Sequence, residues 1–143
     1  MKTWIWVGAL CVGVAGAGYW MMTGHVTGTT QADGTAGAPL VEVSLPDSFT
    51  SNAQSGKRVY ETNCATCHGE NAVGQEGVAP PLVHKIYEPS HHGDESFQRA
   101  VALGVRAHHW PFGDMPPVER LTRADVAMIV AYVRELQVAN GIN

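Results

Sequence analysis

Three hydrophobic patterns follow one another along this chain of 143 residues. From residue 3 to residue 22 the side chains are uncharged and mostly apolar, beginning Trp4-Ile5-Trp6-Val7-Gly8-Ala9-Leu10. Residues 23–50 are rich in Gly, Thr and Ala, with almost no large side chain before Leu40. Only residues 51–143 repeat apolar positions at helical spacing. Ser51 or Asn52 is placed to cap a helix through Ala53, Gly56, Val59 and Tyr60 to about Asn63. Asp94 is placed to cap a shorter helix, with Phe97, Val101 and Leu103 inward and Gly104 as its stop. Thr122 and Asp125 have the spacing of a capping box. Behind them Val126, Ile129, Val130, Val133 and Leu136 recur with helical period to about Ala139, and Gly141 ends the run. No segment reads as a strand, so the predicted class is all-α.

The first segment sets the compartment. About nineteen uncharged residues approach the roughly twenty that a helix needs to span a bilayer. Trp4 and Trp6 flank one end, Tyr19 and Trp20 the other, as interfacial aromatics do. Lys2 is the sole basic residue before Lys57, which keeps the N-terminus in the cytoplasm and exports the remainder. Residues 1–22 therefore read as a transmembrane signal-anchor. A cleaved signal peptide is the competing reading, because Ala15-Gly16-Ala17 offers a small-residue cleavage site. The run is longer than an ordinary signal core, which favours the anchor. Both readings export residues 51–143. Residues 23–50 lack the apolar surface to fold alone and read as a flexible linker, with Val41, Val43, Leu45 and Phe49 as an extended lead-in lying on the domain surface.

Formal net charge is −4, and residues 51–143 carry eight Lys and Arg against ten Asp and Glu. That near balance provides no basic patch for nucleic acid and no strong steering field.

The chemistry lies in Cys64-Ala65-Thr66-Cys67-His68. Two cysteines separated by two residues match the spacing of haem vinyl groups, to which thiols add as thioethers, and the adjacent histidine falls beneath the ring. A redox dithiol would sit in a βαβ pattern, which is absent here. A zinc site needs a second ligand pair nearby, and the remaining cysteine is Cys11. One covalent haem c is therefore expected, attached through Cys64 and Cys67 with His68 as an iron ligand.

A six-coordinate iron needs another ligand. Met1, Met21 and Met22 lie in the anchor segment, and Met128 lies mid-helix, where packing is its ordinary role. Met115, in Gly113-Asp114-Met115-Pro116-Pro117, sits in a loop stiffened by two prolines, which orders a weak thioether donor. Met115 is the expected axial ligand, with His108 and His109 in reserve. His84, His91, His92, His108 and His109 otherwise read as solvated loop residues; together they could hold an adventitious metal ion, but adjacent pairs such as His91-His92 do not naturally aim at one ion.

Residues 51–143 resemble the class I cytochromes c in the order of these elements: the helix with Gly56 and Tyr60, Cys64 to Gly69, Gly77-Val78-Ala79-Pro80-Pro81-Leu82, Met115-Pro116, and the closing helix with Tyr132. The anchor and linker look similar to those of membrane-bound bacterial monohaem members. The resemblance implies a small fold of three to four helices around one haem. It implies Gly56 against Tyr132 where the first and last helices cross, Pro80 offering its carbonyl to His68, and Leu82 packing on the haem. The resemblance assigns no role to His108-His109-Trp110; Trp110 or Arg106 could hydrogen-bond a haem propionate, with an ordinary loop position as the equal alternative. The function implied is one-electron transfer at the periplasmic face of the inner membrane, without a small-molecule substrate. A quinol-oxidising complex is the expected donor and a terminal oxidase the expected acceptor. Two alternatives stay open: a haem subunit of a larger dehydrogenase or oxidase, and a haem enzyme or sensor whose sixth ligand detaches.

Overall fold

A computed structural model describes residues 36–143. The expected anchor at 1–22 and the linker up to residue 35 lie outside the described residues. No described helix is long and apolar enough to cross a membrane.

Four α-helices are present among the described residues: α1 (Ser51–Asn63), the single turn α2 (Ala65–His68), α3 (Asp94–Leu103) and α4 (Arg123–Ala139). Short 3-10 turns at Glu70–Ala72 and Lys85–Tyr87 shape the connections. Two isolated bridges, Gln75 with Ala79 and Val105 with Met115, are the sole β-type pairings among the described residues. The architecture is the expected all-α one.

The principal packing is α1 against α4, and Gly56 makes it possible. A Cβ at this position would stand 1.8 Å from the Met128 carbonyl oxygen. Only a residue without a side chain allows the two backbones so close. The expected partner of Gly56 was Tyr132. Gly56 instead meets the backbone at Met128 and Ile129, one turn earlier on α4. Tyr132 packs between Phe49 and Tyr60, with ring centroids 5.3 and 5.5 Å away. Ala53, Ala72, Val83, Ile129, Val133 and Leu136 complete the core.

Caps differ from expectation by one residue. α1 is capped by Thr50, whose hydroxyl accepts the Ala53 N–H at 3.3 Å. Glu135 on α4 accepts both the amide and the hydroxyl of that threonine, joining the cap to the closing helix. Gly93 precedes α3 with no side-chain cap bond, so Asp94 falls in the first turn and pairs with Arg134 at 3.0 Å. Leu103, expected inward, is 75% exposed. It is the last residue of α3, where Gly104 (φ 74) turns the chain toward Met115. A Cβ on Gly104 would come within 2.5 Å of the Met115 carbonyl.

The capping box on α4 is complete. Thr122 accepts the Asp125 N–H, and the Asp125 carboxylate accepts the amide and hydroxyl of Thr122 at 2.8 and 2.6 Å. These bonds hold the Asp125 pKa below the ordinary carboxylate value of 3.8. The carboxylate is therefore charged, and its contribution complete, above that unfolded value. The contribution disappears as pH falls through the folded value. Asp125→Asn is expected to flatten this acid limb, read as urea midpoints between pH 5 and 2.

Residues 36–50 lie along the domain. Gly37 donates to Glu76, Leu40 and Val41 to Val73, and Asn140 brackets Ser44 with two hydrogen bonds. Val43 and Phe49 pack on the core, while Leu45 stays exposed. The lead-in thus lies on the domain surface as expected, with Val43 and Phe49 partly buried against the core.

Gln137 is a wholly buried polar residue on the apolar face of α4. Its amide donates to the carbonyls of Leu82 (2.8 Å) and Tyr87 (3.0 Å), and its carbonyl oxygen accepts from Arg134. Gln137 thereby fastens the 82–87 segment onto the last helix. Gln137→Leu keeps the volume but leaves the Leu82 carbonyl unpaired. The expected cost is about 1–3 kcal/mol in chemical denaturation.

Candidate haem site

The Cys-x-x-Cys-His segment is delivered by the end of α1. Cys64 caps α1 and opens α2, so Cys64, Cys67 and His68 occupy one helical turn. The amides of Cys67 and His68 both bond the Cys64 carbonyl. Gln75 reaches back to the carbonyls of Ala65 (3.2 Å) and Thr66 (2.9 Å) and holds the turn from below. Neither thiol is in a disulfide; Cys64 is half-buried and Cys67 exposed. Burial, with the neighbouring Cys67, pushes the Cys64 thiol up to about 11.

His68 is oriented by Pro80. Its Nδ1 lies 2.8 Å from the Pro80 carbonyl oxygen. A carbonyl accepts and never donates, so Nδ1 carries the proton and Nε2 keeps its lone pair. Burial lowers the His68 pKa, against the smaller opposing influence of the Pro80 carbonyl. The ring is therefore a neutral donor with a fixed tautomer, the form a metal ligand requires.

The loop carrying Pro80 is tightly held. Asn71 (φ 53) and Ala72 (φ 63) are both left-handed, a conformation costing about 1–2 kcal/mol per non-glycine residue. The Tyr132 hydroxyl donates to the Asn71 side chain, and the Ala72 carbonyl accepts from Leu82 and Val83. Tyr60, buried under the turn, donates its hydroxyl to Gly69. Desolvation raises the Tyr60 pKa, so the phenol remains a donor. Leu82 is half-buried against the core.

Met115 is half-buried in the loop after α3, where it exchanges both backbone hydrogen bonds with Val105 at 2.9 Å. Asp114 accepts the Ala107 N–H at 2.8 Å, closing the same loop. Within it Trp110 stacks on Phe112 at 5.7 Å and meets His84 edge-on at 5.2 Å. The buried Trp110 Nε1 makes no hydrogen bond of good geometry, and the Tyr87 hydroxyl is the acceptor near it. Such a donor has a use where a bound group supplies an acceptor. Two thiols one turn apart, a neutral imidazole with a free nitrogen, a thioether on a pinned loop and a buried indole N–H without a well-formed bond fit a covalently held haem.

Gln75, Asn71, Tyr60 and Gln137 position the site and were not singled out for that role by sequence reasoning. Only Gln137 left a signal, a glutamine at an apolar helical position. The histidines are exposed or half-buried loop residues, as expected, but three of them converge. His91, His92 and His109 bring ligand nitrogens together, and the rings of His108 and His109 lie 4.2 Å apart. The amides of His91 and His92 both fold back onto the Glu88 carbonyl. This tight turn replaces the extended chain that would point neighbours apart. Partial desolvation, followed by repulsion from the neighbouring imidazoles, lowers the His109 pKa.

Comparison with known proteins agrees with these features. The family model described as Cytochrome c matches residues 53–137. The chain is 39% identical over 90 residues to the Cbb3-type cytochrome c oxidase subunit CcoP of Azospirillum brasilense, covering 59% of this chain and 28% of that protein. It is 31% identical over 99 residues to the CcoP of Cereibacter sphaeroides, covering 68% of this chain and 32% of that protein. The chain thus spans about three tenths of these two relatives. It is 34% identical over 91 residues to Cytochrome c6 of a Picosynechococcus species, covering 61% of this chain and 75% of that protein.

Proposed function

Because the chain belongs to the cytochrome c family and so carries haem c covalently and transfers electrons, we propose that it is a membrane-tethered single-electron carrier of the periplasmic face with His68 and Met115 as its iron ligands. Cys64 and Cys67 would hold the group, and when bound it supplies one-electron redox chemistry. The bond from His68 to the Pro80 carbonyl is the observation that carries this reading, because it reserves Nε2 for the metal. Met115 is supported by the loop that orders it: two bonds to Val105, the close approach at Gly104 and the following prolines. Two ligands held on rigid elements change little between oxidation states, which suits outer-sphere exchange. His68 moves no proton, because its Nδ1–H is committed to Pro80.

Tethering rests on the apolar run 3–22 and the placement of Lys2. Since residues 36–50 lie on the domain, the tether is at most the stretch between residue 22 and residue 36. Confinement near the bilayer raises the local concentration at membrane partners. The oxidase-subunit relatives support a terminal oxidase as acceptor, with a quinol-oxidising complex as donor. The same likeness favours a second reading, a haem subunit held permanently in a larger oxidase.

The test is ligand access together with partnership. The oxidised full-length protein is expected to bind cyanide slowly, because both axial positions are filled, and to leave gently solubilised membranes free of a fixed stoichiometric partner. Instant cyanide binding would favour an open-site enzyme or sensor. Constant co-purification with oxidase subunits would favour the second reading.

A further inference from the structure

Among the described residues, metal-ligating side chains outside the haem site gather in a histidine cluster between the turn at residues 88–93 and the loop at 105–115. We propose that His91, His92 and His109 bind one divalent first-row transition-metal ion of the kind imidazole favours, such as Zn2+ or Cu2+.

Each of the three offers a ring nitrogen, and these atoms all lie within 4.8 Å of one another. Tetrahedral ligands at about 2.0–2.1 Å from zinc are roughly 3.4 Å apart, so rotations about the side-chain bonds suffice to close the set. Three imidazoles leave a coordination position for water or a fourth donor. His108 is the adjacent imidazole, its ring 4.2 Å from that of His109. Imidazole nitrogen selects copper, zinc and nickel over calcium and magnesium, which take oxygen donors.

Both halves of the cluster are held before any ion arrives. His92 Nδ1 lies 2.6 Å from the Ile86 carbonyl, which fixes the proton there and frees Nε2. The backbone of the turn is clamped by Arg134 of α4, whose side chain is only 16% exposed. Its guanidinium donates to the carbonyls of Tyr87 and His92 and to Asp94, and it lies over the Phe97 ring. On the other side, the bonds between Val105 and Met115 and from Ala107 to Asp114 close the loop bearing His109. A salt-bridged arginine spent on the backbone at Tyr87 and His92 is the kind of support that orients ligands. An ion here would join the 88–93 turn to the loop that carries Met115.

The experiment is a Zn2+ titration of the full-length haem-loaded protein, purified without a polyhistidine tag, by equilibrium dialysis with elemental analysis. One zinc per chain is expected, and its X-ray absorption edge should show a nitrogen shell near about 2.0 Å with imidazole scattering. The double variant His91→Gln/His109→Gln should bind about 100-fold more weakly or worse. His84→Gln, outside the cluster, should bind as wild type. The haem absorption spectrum reports whether each variant is folded, and the edge spectrum of the wild type identifies the ligands without any variant. Absence of stoichiometric binding, an oxygen-only shell, or unchanged affinity in the double variant overturns the proposal.

Discussion

Gly56→Ala is expected to destabilise the domain by about 3 kcal/mol or more, the upper range for overpacking a close-packed interior. For a domain of this size that lowers the thermal midpoint by roughly 10 °C or more. Helix propensity alone predicts the opposite sign, since alanine is favoured over glycine by about 1 kcal/mol inside a helix. The difference comes from the crossing of α1 and α4. A Cβ on Gly56 would stand 1.8 Å from the Met128 oxygen and 2.4 Å from its carbonyl carbon. These are backbone atoms of a helix and have no rotamer to retreat into, so the helices must separate. Separation strips packing from Ala53, Tyr60, Ile129 and Tyr132, all buried in the same core. A thermal melt of the haem-loaded variant decides the matter. A midpoint equal to wild type or higher would mean that the two helices do not cross at this residue.

Met115→Ala is expected to have the largest effect on chemistry with little on folding. Residue 115 holds its loop through backbone bonds to Val105, which alanine preserves. Only the thioether is lost. The oxidised variant should lose the weak far-red band of methionine–iron(III) ligation and bind cyanide faster by at least an order of magnitude. Its midpoint potential should fall, because methionine ligation favours the reduced iron. His108→Ala should leave all three properties unchanged. If His108→Ala removes a ligand and Met115→Ala does not, the axial assignment passes from the thioether to the imidazole.

How much of this was legible in the chain follows from how local each feature is. Cys64-Ala65-Thr66-Cys67-His68 was readable because covalent attachment demands a fixed spacing. The closing helix was readable because burial of one face imposes a 3.6-residue period on Val126, Ile129, Val133 and Leu136, and because Thr122 and Asp125 cap it reciprocally. Thr50 was missed as the first cap because Ser51 and Asn52 offer the same chemistry one and two residues later. The contact of Gly56 depends on how far one helix slides along the other, so the sequence indicated a small residue at the crossing but not its partner.

The histidines mark the limit. Residues 91, 92 and 109 have no short-range spacing that signals a site. They meet because the turn after Glu88 folds both neighbours to one side and because Val105 and Met115 zip the later loop. Arg134, which clamps that turn from α4, reads in the sequence as an ordinary charged helical residue. The left-handed Ala72 was equally invisible, since alanine has no preference for that conformation and tertiary context holds it there: bonds to Gly69, Leu82 and Val83 and burial in the core.

The central claim is that His68 and Met115 close both faces of one covalent haem, making the chain an electron carrier. The optical spectrum of the full-length wild-type protein in both oxidation states tests it most directly. Low-spin spectra in both states, with a weak far-red band in the oxidised form that vanishes on reduction, are the predicted result. A high-spin oxidised spectrum without that band would contradict it.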